Sequence, residues 1–500
     1  MLRVMVTTGL IAGALAGAPA HAAETHIDEA LAQLPGIVES VQARTGVPGI
    51  AVAVVHGDKL VYSGGFGVRN SKGGQPVTPE TVFQLASVSK SLGSSTVAAA
   101  VGKKTLRWHD PVRKYLPDFA LSQKFPTRKV TVADFYSHRS GLPGFTGNEL
   151  ESFGFNRNQI IDRMRFVPLE PFRVTYSYSN FGMTVGGEAA AKANGTTWET
   201  LADRMIFKPL GMKHTSYRHS DFIKQRNRAA LHQLVNGKWL PLAKRQPDAQ
   251  APAGGASSTV LDMAQWLRMQ LANGRFDGER VVGAGALREA RSLQMRTSPD
   301  TDDAGAIRGY GYGIGTSVDG TGRVRWSHSG AFTAGAATTY LMIPGMDLGI
   351  VVLTNGWPIG VPEAITETFA EIAETGTSRD WLPIMEAAFA PFTTPADTID
   401  GKPRPARPTP AGPLARYEGT YRNEYVGRAR VTKVGSHLVL RLGPQGQRKL
   451  RLRHWTGEVF YYSAIDMPKA FITGATFDLA AGTLQLEEVP GELGVLRRSN

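Results

Sequence analysis

Two strands near the start of the chain have no further strand near them in sequence, and this constrains the fold more than any other feature. Residues 49–55 (Gly49-Ile50-Ala51-Val52-Ala53-Val54-Val55) form an unbroken apolar run, His56-Gly57-Asp58 is a turn, and Leu60-Val61-Tyr62-Ser63 returns. This reads as a β-hairpin whose first strand is buried. It follows a helix at 27–45 with apolar spacing (Ile27, Leu31, Leu34, Ile37, Val38, Val41). From Ser87 to about residue 290 the chain is mostly helical segments cut by Gly and Pro, at 92–102, 131–137, 158–165, 181–193, 197–206 and 260–273. Strand character returns at 309–318, 323–327, 336–343 and 348–354, followed by an amphipathic helix at 362–375. The order fits an α+β fold: one antiparallel sheet flanked by helices, with a separate helical lobe.

A second boundary lies further on. Pro391, Pro395, Pro403, Pro405, Pro408, Pro410 and Pro413 crowd a stretch with little to bury, which predicts a semi-rigid linker over 391–412. After it, short strands are expected at 419–422, 428–433, 437–441, 449–452, 459–463, 471–478 and 483–488, separated by turn residues. They predict a small all-β barrel or sandwich over 413–500. The first 22 residues stand apart from both units. Arg3 precedes an apolar run from Val4 to Ala18, and Ala20-His21-Ala22 has the A-x-A form of a cleavage site. The run is short for a bilayer span, so it reads as a secretory signal peptide, with a periplasmic or secreted product. The main domain is then 23–390.

Export bears on the rest of the composition. There is no cysteine, so disulfides, thiolate metal sites and a lipid-bearing cysteine are excluded. The net charge of +13 is spread over scattered basic groups, without a nucleic-acid motif. It reads as a solvated surface. No other stretch has the apolar length of a membrane span.

Three short motifs carry the chemistry. In Ser87-Val88-Ser89-Lys90 a hydroxyl and an amine lie one helical turn apart. A serine is a weak nucleophile until a base and a positive field activate it, and the lysine and a helix N-terminus supply both. Tyr178-Ser179-Asn180 offers a phenol whose pKa a lysine cation would lower, and an amide able to bond a carbonyl or hold the lysine. Taken alone it equally suits a packed ring and a helix-capping asparagine. His328-Ser329-Gly330 follows a predicted strand, where a glycine permits close backbone approach and an edge can pair with an extended substrate. With 11 His and 56 Gly in the chain, such a triplet arises about once by chance.

The order S-x-x-K, Y-x-N, H-x-G resembles the penicillin-binding-protein/β-lactamase superfamily of serine hydrolases, closest to its class C-like branch of esterases and D-peptidases. Further stretches are similar to that branch: Ser137-His138-Arg139-Ser140-Gly141-Leu142-Pro143 (with Arg139 where threonine is usual), Phe207-Lys208-Pro209-Leu210-Gly211-Met212 and Pro252-Ala253-Gly254-Gly255. The segment from Tyr417-Glu418-Gly419-Thr420-Tyr421 looks like the lipocalin-like domain some members append. The resemblance implies an acylating Ser87, a proton network of Lys90 and Tyr178, and an Asn180 that positions Lys90 and the substrate. It also implies an oxyanion hole from the N–H groups of Ser87 and Ala331, and no metal or organic cofactor. Which of Lys90 and Tyr178 is the base stays open.

The third motif departs from the K-T-G of the β-lactamases. A histidine near pH 7 is mostly neutral and gives a lactam carboxylate no fixed cation. The expectation is therefore a hydrolase of small esters or peptides, D-residues included, ahead of a β-lactamase or D-Ala-D-Ala carboxypeptidase. A reading of a different class is a non-catalytic binder of peptidoglycan fragments. No G-x-S-x-G elbow, H-E-x-x-H or P-loop points to another design. The β-segment could cap the cleft, bind the envelope, mediate a homo-oligomer or only stabilise.

Overall fold

The computed structural model describes residues 25–499 apart from 242–243, 298–305, 321, 394–397, 466 and 469–470. The expected signal peptide lies outside the described residues. Helix α1 (Ile27–Thr45) leads into strands β1 (Gly49–His56) and β2 (Lys59–Gly67). Six later strands complete the sheet: β3 (Met295–Arg296), β4 (Ile307–Tyr310), β5 (Gly315–Val318), β6 (Val324–Phe332), β7 (Ala336–Ile343) and β8 (Leu348–Thr354). Their order is β2-β1-β8-β7-β6-β5-β4-β3, antiparallel throughout. The early hairpin finds its partner in β8, with Val52 opposite Val352.

The continuous apolar run of β1 serves two cores. Ile50, Val52 and Val54 face α1 and the helix α6 (Val361–Thr375), in a core with Leu34, Val38, Ile365 and Phe369. Ala51, Ala53 and Val55 face the other side, where α2 (Ser89–Gly102) and α5 (Val260–Leu271) pack. A period of two with both faces covered leaves no position for a polar residue. The helical lobe also contains α3 (Val132–Tyr136) and α4 (Asn180–Ala193).

Three expectations need correction. The stretch 309–318 is two strands, broken at a turn where Gly313 takes φ +77°. Strand β6 runs through His328 and Gly330 to Phe332, so the third motif is inside a strand and not beyond its end. The linker does not begin extended at 391, because a helix, α7 (Trp381–Thr393), continues through Pro391.

The C-terminal strands close on themselves as β9 (Gly419–Asn423), β10 (Gly427–Val434), β11 (His437–Leu442), β12 (Arg448–Thr456), β13 (Val459–Ser463), β14 (Ile472–Asp478), β15 (Thr483–Leu486) and β16 (Val495–Ser499). Strand β16, not anticipated from sequence, seals the barrel by pairing with β9, Tyr421 opposite Arg498. Alternate residues point inward (Leu438, Leu440 and Leu442 on β11), and the interior is filled. Tyr417 packs edge-on against Phe460 and Phe477 at 5.0 Å each.

Candidate active site

The turn carrying Ser87 is held on three sides. Leu85 N–H donates to Ala256 O at 2.8 Å, Thr338 Oγ1 donates to Leu85 O at 2.7 Å, and Ala256 N–H donates to Ser89 Oγ at 2.9 Å. Ala86 is forced to φ +47°, a left-handed conformation that costs a residue with a Cβ about 1–2 kcal/mol. Gly330 of β6 lies against this turn, where a Cβ would sit 2.3 Å from Leu85 O and 3.0 Å from Ser87 N. Glycine is therefore a steric requirement for the strand and the Ser87 turn to meet. Ser87 stands in a single 3-10 turn ahead of α2, and among residues 81–90 it alone is only partly buried.

Lys90 is completely buried in the first turn of α2. Its Nζ lies 2.9 Å from Ser87 Oγ, 2.6 Å from Asn180 Oδ1 and 2.9 Å from Ala253 O. None of these partners carries a charge, and desolvation holds the amine well below its usual pKa. Two of the three atoms are carbonyl oxygens and can only accept. A neutral amine that gives its two hydrogens to Asn180 and Ala253 turns its lone pair toward Ser87.

Tyr178 departs from expectation in its titration. Lys90 Nζ sits over the ring face, 4.6 Å from its centre, and not beside the hydroxyl. Burial raises the phenol above its ordinary value, against the opposing hydrogen bond with Ser87. It is a neutral O–H at the serine, not a phenolate. Asn180 is the first residue of α4, but the cap is its neighbour: Ser179 Oγ accepts from Gly182 N–H at 3.0 Å. The Asn180 amide is thus free to bond Lys90 on one side and, through Nδ2, Asn148 Oδ1 at 3.2 Å on the other.

His328 projects from β6 with Nδ1 2.6 Å from Ser329 O, so Nδ1 bears the hydrogen. Its Nε2 then accepts from Tyr310 Oη at 2.7 Å. Burial and the Lys90 amine bring its pKa down to about 3, against the Ser329 bond, so the ring is neutral across the physiological range. The β5 partner of β6 stops at Ser327, leaving residues 328–332, with Ala331 among them, unpaired on that side beside Ser87. The seven sequence-predicted residues Ser87, Lys90, Tyr178, Asn180, His328, Gly330 and Ala331 thus converge around one cleft of about 640 Å³.

Sequence reasoning gave no role to several neighbours. His138, quoted only as part of a loop, accepts Ser179 N–H on Nδ1 at 3.1 Å and packs 4.5 Å from the Tyr178 ring. Burial holds it neutral, well below its normal range. Arg139, in the unusual place, bonds buried Asp134 at 2.8 Å, as does Arg173. Burial pulls that carboxyl up, but Arg173, Thr131 and Arg139 together hold it below the usual range. Tyr310, Asn148, and Phe389, Ile465 and Met467 from the C-terminal region also line the cleft. Only non-local packing brings these in, and no local motif marks them.

The cleft thus gathers a serine turn, a buried lysine, a phenol and a β-edge. The β-lactamase family model matches residues 28–374, and the chain belongs to that family, the β-lactamase and penicillin-binding-protein group of serine hydrolases. A second model, a domain of unknown function (DUF3471), matches residues 403–488. Penicillin-binding protein 4 of Amycolatopsis lactamdurans is 28% identical over 77% of this chain and 96% of its own length. The unguisins hydrolase ungD' of Aspergillus campestris is 26% identical over 64% of this chain, and the match spans 60% of that enzyme. Among solved structures, the octameric penicillin-binding protein homologue from Pyrococcus abyssi superposes with TM-score 0.61 at 21% identity, over 93% of this chain and 99% of that one. The class C β-lactamase of Rhodobacter sphaeroides gives 0.55 at 22%, over 67% and 96%.

Proposed function

We propose that the protein is an exported acyl-enzyme hydrolase of small, uncharged esters or peptides, D-residues included, with Ser87 as nucleophile and neutral Lys90 as its base. The observation that carries this is the Lys90 amine, 2.9 Å from Ser87 Oγ, with two carbonyl acceptors and no carboxylate partner among the described residues. Lys90 takes the Ser87 proton as Oγ attacks the substrate carbonyl. The N–H groups of Ser87 and Ala331 receive the oxyanion, each worth about 3–4 kcal/mol in the transition state. The proton then goes from Lys90 to the leaving group, next to the neutral Tyr178 hydroxyl that bonds Ser87. Water then hydrolyses the acyl-enzyme by the same route in reverse. No metal or organic cofactor has a part in these steps.

The choice of substrate follows from the cleft. Phe145, Tyr176, Phe332, Ile465 and Met467 give it apolar walls. Arg245 is the one lysine or arginine among the described lining residues, and it is ion-paired with Glu151 and stacked over Phe332. With His328 neutral, a substrate carboxylate finds no uncommitted cation among the described lining residues, which disfavours penicillins and D-Ala-D-Ala peptides. Fluorophosphonate labelling tests the nucleophile: wild type is modified and Ser87→Ala is not. A panel of p-nitrophenyl esters, D-aminoacyl anilides and nitrocefin tests the preference, and nitrocefin as the best substrate overturns it. No helix among the described residues is long and apolar enough to cross a membrane. Cleavage after Ala22, measured by the mass of the mature chain from a periplasmic fraction, tests export.

A further inference from the structure

We propose that the C-terminal barrel positions the Asn180 amide, so that it is a working part of the hydrolytic centre and not an appendage. The inference rests on the reading of Ser87 and Lys90 above. In an up-and-down barrel, the turns β9–β10, β11–β12 and β13–β14 all emerge at one end. Here that end faces the hydrolase domain. From the first turn, the Tyr425 hydroxyl donates to Glu149, and Arg163 Nε donates to Tyr425 O at 3.0 Å. From the second, Gln447 Nε2 donates to Gly154 O at 3.2 Å, and Gly443 lies so close to Phe153 that a Cβ would stand 2.3 Å from its carbonyl oxygen. From the third, Ile465 and Met467 reach the cleft.

The first two turns grip one short segment. It comprises the helix Asn148–Ser152 and the two residues after it. The helix begins at Asn148, whose Oδ1 accepts the Asn180 Nδ2 hydrogen. That bond decides which way the Asn180 amide faces. With Nδ2 committed to Asn148, the oxygen is left for Lys90; turned over, the amide would set its hydrogens against those of the amine. Glu149, the next residue, is buried and bears the Tyr425 bond. A chain of contacts therefore runs from Tyr425 through Glu149, Asn148 and Asn180 to Lys90.

The test uses the full chain and p-nitrophenyl acetate. Tyr425→Phe, which removes only the hydroxyl, should lower kcat about tenfold with KM within twofold. It should also move the acid limb of the kcat/KM profile to lower pH, because an amine that loses its amide acceptor protonates less readily. Glu149→Gln keeps an acceptor for Tyr425 and should stay within twofold of wild type. Asn148→Leu should match Tyr425→Phe, and the double variant should be no slower than the slower single. Wild-type kinetics in Tyr425→Phe, a tenfold loss in Glu149→Gln, or single effects that multiply in the double variant would overturn the proposal. If wild type neither turns over ester nor takes up fluorophosphonate, the assignment of Ser87 fails instead.

Discussion

Inside the barrel, Leu438, Leu440, Leu452, Phe460, Phe477 and Leu484 meet one another and nothing polar is asked of them. Inside α2, equally buried, Ser91, Ser95, Thr96 and Lys90 are surrounded by protein. These hydroxyls each find a carbonyl: Ser91 Oγ donates across to Gly313 O at 2.8 Å, while Ser95 Oγ and Thr96 Oγ1 donate to carbonyls four residues back. Lys90 is different, since burying a lysine opposes folding unless it loses its charge. The barrel spends burial on stability and the helix spends some of it on reactivity. That contrast is the best physical guide to where the chemistry lies.

Four substitutions or conditions would break or sharpen the contrast. Ser87→Ala should lower kcat by about 10⁶-fold, read with p-nitrophenyl esters, while urea unfolding stays near wild type. In the barrel, Phe477→Ala should do the reverse, costing about 3–5 kcal/mol of stability in a denaturant titration while fluorophosphonate still labels the folded fraction. The third concerns pH. The folded pKa of Lys90 lies below its unfolded value, so between the two the unfolded chain holds one more proton. Stability should then climb with pH by about 1.4 kcal/mol per unit up to the unfolded pKa near 10.4. Lys90→Met should lack that increment when both are unfolded in urea between pH 7.5 and 9.5. The smallest effect is Ser179→Ala, which removes the α4 cap and should cost about 1 kcal/mol, with a thermal shift as readout.

How much of this could be read in advance follows the same division. The strands of β1, β7 and β8 were legible because their runs are mostly apolar on both faces, and Ser87, Lys90, Tyr178 and Asn180 because short motifs mark them. The barrel strands were legible through alternation, except β16, whose Arg497 and Arg498 interrupt the apolar pattern while Leu496 still points inward. Helix α7 was hidden by Pro391 and by the proline crowding beyond it. Asn148, Ala253 and Tyr425 could not be found, since tertiary packing alone places their contacts, and Ala253 contributes only a backbone oxygen.

The pairing of Val52 with Val352 has a temporal side. At about 5–20 residues per second, the ribosome needs roughly 15–60 s to deliver the second valine after the first. Through that interval β1 has only β2 beside it, and its other edge is an open template for any extended chain. Closure of this sheet should therefore be a late event in biogenesis. The newborn polypeptide would be most prone to aggregate before β8 arrives.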